Sequence, residues 1–281
     1  MIIAAISWEK LDANSKASVT EILKKHPAYE HSWKKEFRKV KNTKIPLGKF
    51  LMMKASIWSD AIRSFNHPEH EFHRGEWHYI NYKINFSGGH DSKIPKDVQR
   101  KGNVVFAINW ARDVITDTHT PDNEKAMYLA WLIHLVGDIH QPLHCGSLFS
   151  SDFPKGDRGG NKFFIKPSTA GVKLHSFWDG SLGGSNNVKT ASDQAFRIIN
   201  STSANIFPNV DVNEKSPRKW SLESFEQAKK EAHLNGKLKA GTTKNNAVAP
   251  PANYGQKMKG LAEKKATLAG YRLASDINRI I

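Results

Sequence analysis

The sequence contains a single cysteine, Cys145, among its 281 residues. One thiol excludes any disulfide within the chain, so cysteine usage does not reveal the redox compartment, and we expect Cys145 to be a small packed side chain. Long hydrophobic runs are missing too: no unbroken apolar run, MIIAAI at 1–6 included, approaches the roughly 20 apolar residues that a membrane-spanning helix requires. No basic segment precedes MIIAAI, as a signal peptide would demand. We expect no stable membrane association and a monomer.

Acidic residues are scarce beside basic ones, 27 against 42, which gives a formal net charge of +15. This balance favours polyanionic partners such as nucleic acid or anionic membrane surfaces, but it says nothing about chemistry. The basic stretch WKKEFRKVKNTK at 33–44 is interpreted as a solvated loop or helix face rather than as a dedicated binding strip. With 39% hydrophobic and 25% charged residues, the chain has the composition of a globular protein, and disorder is not expected.

Strand patterns are nearly absent, whereas helical periodicity recurs along the chain. Apolar residues repeat at helical intervals in three segments: Val19, Ile22 and Leu23 after the capping candidates Asn14 and Ser15; Val104, Ile108, Ala111 and Ile115; and Ala266, Ala269, Leu273, Ile277 and Ile280. This periodicity predicts an all-α fold. Turn-rich connections are expected at 86–95, 151–161 and 235–253, the last as a flexible loop. Because repeats and a clear boundary are lacking, residues 1–281 are predicted to form one domain around a shared site.

The stretch HLVGDIHQPLHCG at 134–146 places ionisable side chains at the end of an apolar, helix-like run. His134 and Asp138 are four residues apart, so on a helix they lie one turn apart on the same face. A carboxylate carried toward a core is costly unless a partner compensates its charge. A metal ion would provide that compensation for Asp138.

Pro142 predicts where this helix ends. Proline lacks an N–H group and pushes the preceding residue, Gln141, out of helical geometry, so the helix should end near His140. His144 then arrives from a different backbone direction. It need not serve the same partner as His134.

Further His and Asp residues extend the pattern. LHSFWDG at 174–180 repeats the His-x3-Asp spacing, and two more candidates each stand beside a tryptophan, in SIWSDAIR and EWHYIN. Neutral imidazole and carboxylate oxygen are ligands that zinc accepts. The candidate metal ligands are therefore Asp60, His78, His134, Asp138, His144, His175 and Asp179.

Simpler interpretations compete with each of these elements. A lone histidine in an apolar run is usually a satisfied core residue, and a single His-x3-Asp pair is often a surface interaction; two such pairs with HQPLH are harder to dismiss. His140 falls about 240° around the helix from His134, so we exclude it as a metal ligand. We expect it instead to support the ligand side chains without binding the metal itself. We expect His67, His70 and His73 in a polar loop rather than at a metal.

The segment GDRGGN at 156–161 is expected to form a shaped loop. Asp157 and Asn161 would hold its conformation. Gly159 and Gly160 would let its backbone approach a ligand closely.

Several segments, in chain order, resemble a known family: WSDAIR, WHYIN, LIHLVGDIHQPLHCG, GDRGGN, LHSFWDG and the terminal AGYRLASDIN. They resemble the zinc-dependent S1/P1 nucleases, relatives of bacterial zinc phospholipase C, over most of the chain. The resemblance implies a mostly helical phospholipase C/P1 nuclease-like fold with a cluster of up to three Zn²⁺ ions at the bottom of a cleft. It implies a first zinc at Asp60, His78, His134 and Asp138, a second at His144, His175 and Asp179, and a bridge from Asp138 to a third.

The ligands of the third zinc are absent from the sequence. In the family, a Trp-Gly-x-x-Gly-His segment opens the mature chain and completes that site, whereas MIIAAISWEKL resembles the residues immediately after its histidine. Either the gene starts upstream, with a signal peptide and the missing segment, or the protein works with fewer ions. Because all seven other ligands are present, we expect the first. The resemblance thus implies a secreted or periplasmic protein.

Zinc chemistry and the resemblance together predict phosphodiester hydrolysis. Zinc lowers the pKa of bound water toward about 7, and clustered ions can stabilise the attacking and departing oxygens of an in-line displacement. By resemblance, Asp60 would orient or deprotonate the water, and Arg63 would contact the scissile phosphate. Tyr79 would stack on a base, a contact worth roughly 1–3 kcal/mol, unless it is ordinary core packing. Asn81, which replaces an Asp common in fungal members, and Asn161 would contact substrate.

Three functions remain open at this point. The leading hypothesis is a zinc nuclease that converts single-stranded DNA or RNA to 5′-phosphorylated nucleotides and also acts as a 3′-nucleotidase. A zinc phospholipase C that cleaves lipid phosphodiesters is the second, and a non-catalytic basic nucleic-acid-binding protein with structural zinc is the third. The net charge and the HQPLHCG motif favour the nuclease.

Overall fold

The computed structural model describes residues 1–86, 102–183, 185–202 and 210–281. α-Helices dominate these residues, which confirms the predicted fold class. The helices are α1 (Ile2–Lys10), α2 (Ala13–Leu23), α3 (Lys34–Val40), α4 (Leu47–Ala61), α5 (Val104–Thr116), α6 (Asp122–His140), α7 (Pro142–Cys145), α8 (Leu174–Asp179), α9 (Val188–Thr202), α10 (Pro217–Gln227) and α11 (Tyr254–Ile280).

Shorter helical turns connect several of these helices. Two are π-helical, Tyr29–Trp33 and Ala228–Ala232. The 3-10 turns are Lys41–Thr43, His70–Phe72, Gly75–His78, Gly180–Leu182 and Leu234–Gly236.

Helix α6 lies at the centre of the described structure and packs against α2, α4, α5, α10 and α11. Side chains on all sides of α6 are buried, including Leu132, Ile133 and Leu135. A helix that is apolar all round belongs in a core rather than on a surface. The ionisable residues toward its C-terminal end, such as His134 and Asp138, therefore lie inside the protein, where they require polar or charged partners.

The predicted end of α6 is confirmed. The helix ends at His140, Gln141 has extended geometry with ψ 117°, and Pro142 begins the separate helix α7. The Gln141 side chain accepts a hydrogen bond from the backbone N–H of Leu143, which caps α7. Because α7 starts in a new direction, His144 approaches the end of α6 from another side.

Four short strands form two small ladders. Strand β1 (Tyr82–Ile84) pairs in parallel with β2 (Gly146–Leu148), and β3 (Phe164–Ile165) pairs antiparallel with β4 (Val172–Lys173). Strand β1 follows His78 and β2 follows His144 in the sequence. The parallel pairing therefore holds these two histidines side by side.

Some expectations about local structure need correction or lie outside the described residues. Helix α2 is capped by Asp12, which accepts from the N–H of Ser15 at 2.7 Å, so the predicted caps Asn14 and Ser15 were wrong. Asp12 precedes them and already has the extended geometry of a cap. The predicted connection at 86–95 lies outside the described residues apart from Phe86.

The segments at 151–161 and 235–253 contain little regular structure, as their composition predicts. Gly241 and Val248 form isolated bridges with β3, which tether the second segment to the fold. Its flexibility stays a prediction, as does the single domain. The basic stretch at 33–44 includes α3, a helix without a fully buried residue. In the part of the chain that the structure describes, no helix is both long and apolar enough to cross a bilayer.

Candidate metal centre

Three elements bring the first group of candidate ligands together. Asp60 lies in the last turn of α4, His78 ends the 3-10 turn Gly75–His78, and His134 and Asp138 stand one turn apart on α6. Asp60, His78 and His134 each offer one donor atom, and these atoms lie within 4.8 Å of one another. His78 and His134 are buried, whereas Asp60 is exposed to solvent.

Asp138 completes the first group at close range. Its Oδ2 lies 2.9 Å from His134 Nε2 and 2.9 Å from His78 Nδ1, and these two nitrogens are 3.0 Å apart. Asp60 Oδ2 is 4.0 Å from His134 Nε2. Zinc with bonds of about 2.0–2.1 Å in a tetrahedron separates its donors by about 3.3 Å. The spacing of these four side chains fits such an ion.

A backbone contact sets the tautomer of His134. Its Nδ1 lies 2.7 Å from the carbonyl oxygen of Ser56, and because a carbonyl only accepts, Nδ1 must carry a hydrogen. In the neutral ring, Nε2 then presents a lone pair to the Asp138 carboxylate. That contact is repulsive unless a proton or a metal ion lies between the two groups.

The second group contains His144 from α7 and His175 and Asp179 from α8, with donor atoms within 4.8 Å of one another. Each histidine again uses Nδ1 on a backbone carbonyl: His144 donates to His78 O and His175 to Gly159 O, both at 2.7 Å. The Nε2 atoms remain for a ligand, and His175 Nε2 lies 3.5 Å from Asp179 Oδ2. Hydrogen bonds of this kind orient metal-ligating histidines.

The two groups adjoin each other. Asp138 Oδ2 lies 3.9 Å from His144 Nδ1, and Gln141 donates from Nε2 to Asp179 Oδ1 at 2.9 Å. All seven residues singled out from the sequence therefore lie in one region. Their role as ligands stays a prediction.

The electrostatics of the region favour an added positive charge. Burial alone lowers the pKa of His134, but the carboxylates of Asp138 and then Asp60 outweigh it and raise that pKa to about 9. Burial alone raises the pKa of Asp138, but His134 and His144 outweigh it and hold that pKa well below its usual range. In the second group, burial and then His144 lower the pKa of His175. Neutral imidazole and ionised carboxylate are the forms that bind metal, so a metal ion at His134 would have to displace the proton that the raised pKa favours.

The GDRGGN loop positions the second group. Gly159 and Gly160 have φ of +59° and +79°, and a Cβ at Gly159 would lie 2.3 Å from the carbonyl oxygen of Leu143. At Gly160 a Cβ would come within 3.0 Å of the backbone nitrogen of His175. We expected these glycines to let the loop approach a ligand; they let it approach the backbone of α7 and α8 instead. Asp157 is buried and shapes the loop, as predicted, by accepting from Leu148 N–H and Ser147.

A family model for the S1/P1 nucleases matches residues 1–281. The chain belongs to the S1/P1 nuclease family. It is 25% identical to Endonuclease 4 of Arabidopsis thaliana over 248 residues, which cover 79% of this chain and 75% of that protein. It is 27% identical to Endonuclease 3 of the same plant over 241 residues, 79% and 70% of the two chains. The resemblance identified from the motifs is thus confirmed, and the protein is a hydrolase of phosphodiester bonds.

In this S1/P1 nuclease, Arg63 lies beside the first group of candidate ligands. Its Nη2 donates to Asp60 Oδ1 at 2.9 Å, and both side chains are more than half exposed. The three-residue spacing of Asp60 and Arg63 would place them on nearly the same face of a helix, but α4 ends at Ala61 and Arg63 lies in the following turn. The two groups meet all the same, with the guanidinium accessible from solvent.

The remaining substrate-binding candidates lie on accessible surface. Tyr79 is 40% exposed, so it is not a core residue. Asn81 is exposed, and Asn161 is half-buried, with its Nδ2 donating to Arg158 O at 3.1 Å. The structure therefore leaves Tyr79 and Asn81 open to a ligand, whereas Asn161 is partly engaged in its own loop.

His140 is kept away from the centre by a buried network. Its Nδ1 donates to Val136 O at 2.7 Å, and its Nε2 accepts from Arg272 Nη1 at 3.1 Å, so neither nitrogen is left for a metal. Arg272 also bonds to both carboxylate oxygens of Glu223. Lys265, buried one heptad before Arg272 on α11, donates to Ser224. We missed this network in the sequence; the available signal was two cations on the apolar face of α11.

Proposed function

We propose that this S1/P1 nuclease is a zinc-dependent enzyme that hydrolyses single-stranded DNA or RNA to 5′-phosphorylated products and also removes 3′-phosphates from nucleotides. The observation that supports this most is the convergence of two His/Asp groups on either side of Asp138. Imidazole nitrogen and carboxylate oxygen in this arrangement are typical of zinc sites. By family resemblance, we propose a secreted or periplasmic location.

The donor set fits zinc in detail. His134 Nε2 faces Asp138 across 2.9 Å with its Nδ1 hydrogen already used on Ser56, a contact that a bound cation would make favourable. His144 and His175 likewise have their Nδ1 atoms engaged by backbone carbonyls. Bound zinc would supply a nucleophile at neutral pH and a Lewis acid for the phosphoryl oxygens.

The exposed side chains beside the first group would carry out the steps that involve substrate. Asp60, an exposed carboxylate beside the first group, would orient the attacking water and accept its proton. Arg63, held by Asp60 at 2.9 Å, would bind the scissile phosphate with its remaining guanidinium donors. Tyr79, exposed beside His78, would stack on the base of the bound nucleotide.

The proposal is tested with purified, zinc-loaded protein that receives single-stranded DNA and lecithin micelles side by side. We expect metal analysis to find zinc, the DNA to be cut into fragments with 5′-phosphates, and the micelles to remain intact. Cleavage of the micelles alone would instead establish a phospholipase C. Zinc binding without cleavage of either substrate would support the third hypothesis, a nucleic-acid-binding protein with structural zinc.

A further inference from the structure

Phe65 is an exposed aromatic residue close in the sequence to Asp60 and Arg63. Its side chain is 88% exposed, the highest value for a large hydrophobic residue in the described part of the chain. It lies in the turn after α4, two residues beyond Arg63 and five beyond Asp60. A single exposed apolar residue is ordinary on a protein surface, so the inference depends on what surrounds this one.

The ring of Phe65 is backed by a histidine with a fixed orientation. Its centroid is 4.5 Å from that of His70, with the planes inclined by 46°. His70 Nδ1 donates to the carbonyl oxygen of Ile62 at 2.8 Å, which ties the imidazole to the turn. One side of the Phe65 ring therefore lies against His70, while the rest of the ring is left to solvent.

A row of rings connects Phe65 to the candidate metal centre. His70 lies 5.8 Å from His73, nearly parallel to it, and His73 lies 6.4 Å from His78 between centroids. His78 belongs to the first group of ligands. A strand whose phosphate is bound by Arg63 would therefore have Phe65, two residues further along the same turn, close to a neighbouring nucleotide.

Exposed charges of both signs lie in the same segment as this row: the cations Arg63 and Arg74 and the acids Glu71 and Glu76. Arg63, two residues before Phe65, is the cation nearest to that ring in the sequence. The chain as a whole carries +15. Cationic side chains beside an exposed aromatic ring are the combination that binds single-stranded nucleic acid.

We propose that Phe65, backed by His70, forms a base-stacking platform for a nucleotide next to the one at Tyr79. This inference rests on the proposed nuclease function and adds a second base contact to it. The occupant is a base of the single-stranded substrate, because Phe65 offers an exposed aromatic ring and Arg63, two residues before it, offers a phosphate contact. Such a contact is tolerant of sequence and requires an unpaired base.

The test compares the wild type with four variants on a single-stranded thymidylate decamer and on decamers with one abasic site moved along the strand. Three variants are Phe65→Ala, Phe65→Leu and Phe65→Trp, and the matched control is Phe196→Ala, which removes a ring that is 66% exposed on α9. Cleavage gives KM and kcat, and a phosphorothioate decamer with chelator gives Kd without turnover. Zinc content and circular dichroism verify that each variant is folded and loaded.

We expect Phe65→Ala and Phe65→Leu to raise KM and Kd by about 5- to 150-fold, the range that a stacking contact confers. Phe65→Trp and Phe196→Ala should remain near wild type. In the wild type, one abasic position should raise KM and Kd by a similar factor. In Phe65→Ala, the same abasic position should raise KM and Kd no further. A leucine variant that binds like wild type, or an abasic penalty that persists unchanged in Phe65→Ala, would overturn the platform.

Failure of the inference and failure of the proposed function are distinguishable in this experiment. If the wild type cleaves the decamer and Phe65→Ala matches it, the platform is wrong and the nuclease stands. If the wild type neither binds nor cleaves the decamer, the proposed function is wrong, and the platform is wrong with it.

Discussion

His134 and His140, six residues apart on α6, differ in the groups that their ring nitrogens contact. His134 donates from Nδ1 to Ser56 O and turns Nε2 to Asp138 at 2.9 Å. His140 uses both nitrogens, one on a carbonyl of its own helix and the other on Arg272. Burial, with nearby Lys265 and Arg272, also lowers the pKa of His140 well below its usual range. It is a neutral, structural histidine.

Alanine substitutions at these two positions should therefore have different effects. His134→Ala removes a candidate ligand beside Asp138, so we expect loss of bound zinc and no measurable turnover. His140→Ala leaves the ligands in place and creates a cavity, so we expect reduced stability but retained zinc and residual activity. Metal analysis and cleavage assays measure both outcomes. Equal and complete loss of zinc in the two variants would contradict this assignment.

The sequence could predict which residues lie on the same face of a helix, but not which hydrogen-bond partners orient their side chains. The spacing of His134 and Asp138 is local and follows from helical geometry alone. The carbonyls that orient His134 and His175 belong to Ser56 and Gly159, on other elements. Contacts of that kind depend on tertiary packing, which spacing does not encode.

The break between α6 and α7 shows what a local signal can determine at the scale of elements. Pro142 ends one helix and starts the next, and this could be predicted because proline acts on its own neighbours. The pairing of β1 with β2 could not be predicted, because three-residue strands have no clear periodicity and their partners are distant in sequence. That pairing nevertheless sets His78 beside His144.

The loop around Gly159 packs so closely on α7 that a side chain should disrupt it. Gly159→Ala would place a Cβ 2.3 Å from Leu143 O at φ +59°, so the backbone must move. We expect a loss of roughly 1–3 kcal/mol in the free energy of unfolding. We also expect weaker zinc binding, because Gly159 O orients His175. Urea denaturation with chelator and zinc titration measure the two effects.

Gly260→Ala is the matched control for that variant. Gly260 lies on exposed α11 surface, and a Cβ there meets nothing within 4 Å. Alanine should stabilise the helix interior by roughly 0.5–1 kcal/mol and leave zinc binding unchanged. If Gly159→Ala behaves like Gly260→Ala, the loop does not position the second group.

At the scale of the whole molecule, charge and site act on different aspects of function. The net charge of +15 attracts a polyanion from any direction and carries no information about bond cleavage. The His/Asp groups provide the chemistry but occupy a small region around the end of α6. Capture and cleavage should therefore respond separately to conditions, capture to ionic strength and cleavage to metal.

This separation predicts how cleavage depends on salt. For a single-stranded decamer, log affinity should fall by roughly 0.7 per log unit of salt for each phosphate contacted, because bound cations are released from the strand. Hydrolysis of a 3′-mononucleotide engages fewer phosphates, so its KM should rise less over the same series, with kcat and zinc content nearly constant. Steady-state kinetics across a salt series provide both slopes. Equal slopes for the two substrates, or a flat response for the decamer, would show that the net charge of +15 does not capture the strand. Only contacts at the metal centre would then hold it.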